Sequence, residues 1–143
     1  MIDSDREQEL REVIELFFFS YRAFTRGPDE ILAKRGLGRV HHRILYFVGR
    51  QPNLSVNDLL QVLQITKQAL NTPLRQLLSM ELVRNDQSKA DRRVRELRLT
   101  PAGIRLEARL TGTQLLQLED VLKDQGKKSE KSWKQIMRQL ADD

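Results

Sequence analysis

The sequence predicts a mainly α fold with one small β-wing, and three observations predict it. Two capped amphipathic helices lie back to back between Ser55 and about Met80. An alternating apolar and polar ribbon with an arginine-rich tip occupies residues 83–99. Long apolar helical patterns occupy both ends of the chain. Together they describe a winged helix-turn-helix flanked by terminal helices. At 143 residues and 39% hydrophobic content the chain fits a single domain over 1–143.

The first helix is expected to start at Ser4, whose hydroxyl and Glu7 have the spacing of a capping box. From Leu10 to Phe24 its apolar residues, among them Val13, Ile14 and Phe17–Phe19, cover more than one stripe. A helix so apolar on several sides needs more than one partner. The segment from Gly27 to Pro52 then links this arm to the middle of the chain. Pro28 can start a helix, Gly36 and Gly38 can interrupt it, and Val40, Ile44, Leu45, Phe47 and Val48 can pack the rest.

Ser55 and Asp58 form a second capping-box pattern, opening a short helix through Leu63. Gln64-Ile65 makes a brief turn, and Thr66 caps a helix to about Met80 with Leu70, Leu74 and Leu77 on one face. The opposite face carries Lys67, Gln68, Asn71, Thr72 and Arg75. In a major groove, Gln or Asn can pair bidentately with adenine and Arg with guanine. An ordinary polar helix face is the plain alternative, and the arginine-tipped hairpin directly after this helix disfavours it.

Val83–Asp86 and Val94–Leu99 are expected to form that hairpin, with Leu97 and Leu99 on one face and Val94, Glu96 and Arg98 on the other. Gln87 and Ser88 supply turn chemistry, and Lys89, Arg92 and Arg93 make the tip basic. Thr100-Pro101 reads as an N-cap with proline at the first helical position. Ile104 to about Asp124 is expected as a long helix, and a break at residues 126–129 leads to a last one carrying Trp133, Ile136, Met137 and Leu140.

The run SVNDLLQVLQITKQALNTPLRQLLSMELV, the DRR at 91–93 and the LRLTPAG at 97–103 resemble the MarR family of winged-helix transcription factors. The resemblance implies an obligate homodimer, with residues 1–26 and 101–143 as dimerisation helices around a DNA-binding region at 31–100. It also implies that Arg93 enters the minor groove and that Asp91 holds it through a salt bridge. Thr66, Lys67, Gln68, Asn71, Thr72 and Arg75 then fall on the recognition helix, with Arg84, Lys89 and Arg92 at phosphates or groove edges. Ligands in such proteins bind between the dimer helices and the next layer, where Phe17, Tyr21, His41, Tyr46 and Arg105 are the candidates for a small effector. The alternative for the terminal helices is that they close the core of one chain.

Three positions depart from the family pattern. Gln64 and Glu81 stand where glycine is common, and a left-handed Glu81 costs roughly 1 kcal/mol relative to glycine. Pro73 removes a helical hydrogen bond and presses on the carbonyl of Ala69, so a kink or loosening is expected there.

Charge is segregated. Residues 1–30 carry a net −4, whereas residues 31–100 carry +8 within a total of +5, the footprint of a polyanion-binding surface. The best amphipathic helix, near the amino terminus, has an acidic polar face, which argues against a membrane surface. With no cysteine, thiolate metal ligation and thiol redox switching are excluded. Adjacent His41 and His42 point about 100° apart on a helix and make a poor metal pair, so neither metal nor cofactor is expected. No glycine-rich phosphate loop or catalytic constellation suggests an enzyme. The acidic opening MIDSDREQEL argues against a secretory signal, and a cytoplasmic protein is expected. A winged helix used for protein docking or DNA architecture is the competing reading, and it has no need of a basic wing.

Overall fold

A computed structural model describes residues 1–142. Among these residues, six helices and three short strands run in the order α1 (Ser4–Ala33), α2 (Arg39–Arg50), β1 (Leu54–Ser55), α3 (Val56–Leu63), α4 (Lys67–Ser79), β2 (Val83–Gln87), β3 (Arg95–Leu99), α5 (Pro101–Gln125) and α6 (Lys127–Ala141). The mainly helical class, the helix-turn-helix and the wing are all present.

Asp3, rather than Ser4, caps α1, its carboxylate accepting from the amide of Arg6 at 2.8 Å. A carboxylate there also meets the positive end of the helix dipole. The expected break near Gly27 does not occur, and α1 runs through Gly27 and Pro28 to Ala33. A proline at 28 leaves the carbonyl of Phe24 without its helical donor, and Gln114 of α5 replaces it, Nε2 donating to that oxygen at 3.3 Å. Gly27 lets α5 approach closely, since a Cβ there would sit 3.1 Å from Thr113 Oγ1. Left-handed Gly36 (φ 69°) then ends the helix, and Gly38 opens α2.

The two interior caps are formed as expected, Ser55 Oγ accepting from Asp58 at 3.0 Å and Thr66 Oγ1 from Ala69 at 3.0 Å. Gln64 takes the left-handed conformation (φ 54°, ψ 42°) that the tight turn between α3 and α4 demands. Glu81 does the same after α4 (φ 58°). Pro73 does not interrupt α4; its ring is buried beside Leu70, Leu74 and Leu77, so it serves the core face.

β2 and β3 pair antiparallel with Val83 opposite Leu99 and Gln87 opposite Arg95. Val94 lies in the tip rather than in the strand. A third strand that the sequence did not reveal, β1, pairs with the other side of β3, Leu54 opposite Leu97. Leu97 is thereby fully buried, whereas Leu99 is half-buried. The core gathers Ile44, Leu45 and Val48 of α2, Leu59 of α3, Leu70 and Leu77 of α4 and Leu106 and Leu110 of α5.

Leu32 of α1 joins that core as well, but much of the apolar surface of the terminal helices lies outside it. Phe17–Phe19 of α1, Leu115, Leu116 and Val121 of α5, and Trp133, Ile136 and Leu140 of α6 are exposed. Helix α6 buries no residue among those described. Among the described residues, no helix is long and apolar enough to cross a membrane.

Candidate nucleic-acid interface and adjoining cavity

Helix α4 turns its leucines inward and leaves Lys67, Gln68, Asn71, Thr72 and Arg75 exposed. Among the described residues, no hydrogen bond or ion pair within the chain engages these five side chains. They form one polar, basic face free to donate and accept. Thr66, exposed at the head of the helix, is already committed to its cap.

The wing tip is built by its own side chains. Ser88 Oγ accepts from the amides of Ala90 and Asp91 at 3.2 and 3.3 Å, and Gln87 Nε2 donates to the carbonyl of Arg92 at 2.7 Å. Asp91 accepts from the amide of Arg93 at 3.0 Å and from its Nε and Nη2 at 3.2 Å each. The Arg93 guanidinium, and after it the Arg93 amide, holds the Asp91 carboxyl below its ordinary range. Held by Asp91 at its amide and along one edge of its guanidinium, Arg93 still keeps its side chain 90% exposed to solvent. Lys89 and Arg92 are exposed beside it, and Arg84 pairs with Asp86 at 3.0 Å.

A cavity of about 290 Å³ lies between α1, α2 and α5. Tyr21 and Tyr46 line it, with Phe24, Asp29, Arg39, His42, Arg43, Thr111 and Leu115. Asp29 accepts from Arg39 through both oxygens, the shortest contact being 2.9 Å, and Arg43 donates to the Tyr21 hydroxyl at 2.7 Å. Its walls are mostly apolar, with two guanidiniums among the polar groups.

Three of the five expected effector residues lie elsewhere. Phe17 is one turn too early in α1 and stands exposed. Arg105 is exposed on α5, off the face carrying Thr111, Leu115 and Leu118. His41 faces the opposite way. Its Nδ1 accepts from the amide of Gly38 at 3.0 Å, which places the proton on Nε2, 2.7 Å from Gln76 Oε1 of α4. Its neighbour His42 is the one in the cavity, with Nε2 3.1 Å from Thr111 Oγ1. The spacing of Arg39, His42, Arg43 and Tyr46 marks a single helix face and was the available signal.

Burial pushes His42 below the ordinary imidazole range, an effect that outweighs the attraction of Glu107 and Asp29. The unfolded chain therefore takes up a proton that the folded one refuses as pH falls through about 6.5. His42 thus costs the fold nothing above that pH and destabilises it below. Urea unfolding at pH 7.5 and 5.5 should show lower stability at the acid pH, with part of the difference lost in His42→Gln. An unchanged pH dependence in that variant would refute the assignment.

The family model described as MarR family matches residues 35–94. Over 136 residues the chain is 38% identical to the HTH-type transcriptional regulator PetP of Rhodobacter capsulatus, spanning 95% of this chain and 82% of that protein. The chain belongs to the MarR family. Its fold matches that of Streptococcus pneumoniae FabT in complex with DNA, with a TM-score of 0.76, 17% identity and 95% of each chain covered. It also matches Staphylococcus aureus MarR in complex with salicylate and kanamycin, with a TM-score of 0.75, 23% identity, and 94% of this chain and 91% of that one covered. Winged-helix transcriptional regulation is the family's work.

Proposed function

We propose that this MarR-family chain is a sequence-specific regulator that binds double-stranded DNA as a homodimer on a pseudo-palindromic operator. The uncommitted polar face of α4, together with the exposed Arg93 of the wing tip, carries this reading. Gln68, Asn71 and Arg75 read base edges in the major groove, and Arg93 enters the adjoining minor groove. Lys67, Arg84, Lys89 and Arg92 hold phosphates, which makes affinity steeply salt dependent. Residues 31–100 form the reading head, and the chain works where the chromosome lies, in the cytoplasm.

A second copy covers the bare apolar faces of α1, α5 and α6. Two-fold symmetry then presents two α4 helices to successive major grooves, with half-sites about 10 bp apart. Phe18 and Leu116 are each 70% exposed in the single chain, so a charge there leaves the monomer fold intact. By sedimentation velocity, Phe18→Glu should run at the 16.7 kDa of one chain and the unmodified protein at twice that mass. A dimeric Phe18→Glu would place the interface elsewhere.

The cavity next to α2 suits a small aromatic anion. Arg43 supplies the charge, since Arg39 is paired with Asp29, and Tyr21, Phe24 and Tyr46 supply stacking surface. Its filling is proposed to release DNA.

Fluorescence anisotropy with a duplex from the region upstream of this gene and a scrambled duplex, across a salt series, tests the function. A steep salt slope with roughly a thousandfold preference for the upstream duplex is expected. Equal binding to both would reduce the protein to an architectural role, and no binding at low salt would end the DNA reading.

A further inference from the structure

On the solvent face of the wing sheet, two arginines stand directly opposite each other, Arg84 of β2 and Arg98 of β3. Like charges at a cross-strand pair repel, so this pair works against the hairpin it sits in. The next row on that face, Asp86 opposite Glu96, offers partners, and only one is taken: Arg84 Nε lies 3.0 Å from Asp86. Among the described residues no carboxylate pairs with Arg98. Its Nε instead donates to the neutral Asn53 Oδ1 at 2.7 Å. Asn53 stands in the left-handed region (φ 72°), a conformation that costs a non-glycine residue energy and aims this side chain at the arginine.

Both guanidiniums are thus held by Nε, with the Nη ends left over and exposed. That is the fork geometry that grips two oxygens of a phosphate. We propose that Arg98, with Arg84 across the strand and Asn53 as its positioning residue, binds a backbone phosphate of the DNA whose groove receives the wing tip. Arg98 lies five positions beyond Arg93, at most on the order of 16 Å along the chain. The tip therefore enters a groove while the wing base meets the sugar-phosphate edge. A bound phosphate also relieves the repulsion between the two arginines, so the pair is favourable only on DNA.

The inference rests on the proposed DNA-binding function, and one titration separates the two. Unmodified protein, Arg98→Gln and Arg98→Lys are titrated with the upstream and scrambled duplexes between 50 and 200 mM salt, and the melting temperature of each free protein is recorded. Arg98→Gln should weaken both duplexes by a similar factor, about five- to tenfold, and lower the slope of log affinity against log salt by roughly one. Its melting temperature should hold or rise. Arg98→Lys, which keeps the charge, should keep the slope. If the unmodified protein binds and Arg98→Gln matches it in affinity and slope, the phosphate site is refuted and the function stands. A weakened Arg98→Gln with an unchanged slope and a lower melting temperature also refutes it, reducing Arg98 to a support of the fold. If the unmodified protein binds neither duplex, the functional reading falls and this inference with it.

Discussion

Arg93→Ala should lower affinity for the operator by one to two orders of magnitude while leaving the folded protein as stable as before. The first half follows from where the side chain stands. Ser88 and Gln87 fix the tip, Asp91 grips the guanidinium from behind, and 90% of the side chain projects into solvent. An arginine presented this way loses little conformational freedom when it enters a narrow minor groove, where the negative potential is strongest. Good side-chain contacts to bases are worth about 1–3 kcal/mol each, which sets the scale of the loss. Removing one cation from the interface should also reduce the salt slope by roughly one. The second half follows from exposure, because a surface ion pair contributes almost nothing to folding. Asp91→Asn is the informative companion: it keeps the cation but loosens its grip, so affinity should fall less than in Arg93→Ala with the salt slope unchanged. An Arg93→Ala protein within twofold of the unmodified one would remove the wing from the interface.

The parts of this molecule that were legible in the sequence are those fixed by local chemistry. Ser55, Thr66 and Thr100 each cap the helix next to them, because capping depends on residues within three positions. The wing was legible for the same reason, and so was the Asp91–Arg93 pair once the family resemblance was seen. What escaped was settled between distant residues. Strand β1 is two residues long and exists because β3 offers it an edge. Helix α1 passes Pro28 because Gln114, far along the chain, supplies a donor to Phe24. The cavity needs three helices to exist, so periodicity within α2 could group His42 with Tyr46 on one face but could not show that this face lines a cavity. The exposed apolar faces were visible as excess hydrophobicity in α1, and the fold shows that one chain leaves them bare.

Gly103→Ala and Gly112→Ala should act in opposite directions although both lie in α5. Gly112 has open space where a Cβ would go, so alanine there should stabilise by roughly 0.5–1 kcal/mol through its lower conformational entropy cost. At Gly103 the added Cβ would overlap the backbone carbonyl oxygen of Leu82. That oxygen cannot rotate away as a side chain would, because it accepts from the amide of Thr100 at 3.1 Å. Thr100 in turn donates its hydroxyl to the Glu81 carbonyl at 2.6 Å and accepts from the amide of Gly103 at 3.0 Å. The three contacts lock the end of β3 and the start of α5 onto the left-handed turn at Glu81. Admitting a methyl group requires moving the first turn of α5 off that turn, with an overpacking cost of about 1–3 kcal/mol and loss of the N-cap for about 1 kcal/mol more. Against a typical total stability of roughly 5–15 kcal/mol, a loss near 3 kcal/mol is large enough to read directly from a urea midpoint. The wing base moves with α5, so the surviving folded protein should also bind the operator less tightly. Equal stability of Gly103→Ala and Gly112→Ala would mean that α5 can slide away from Leu82 at no cost, and the lock would not exist.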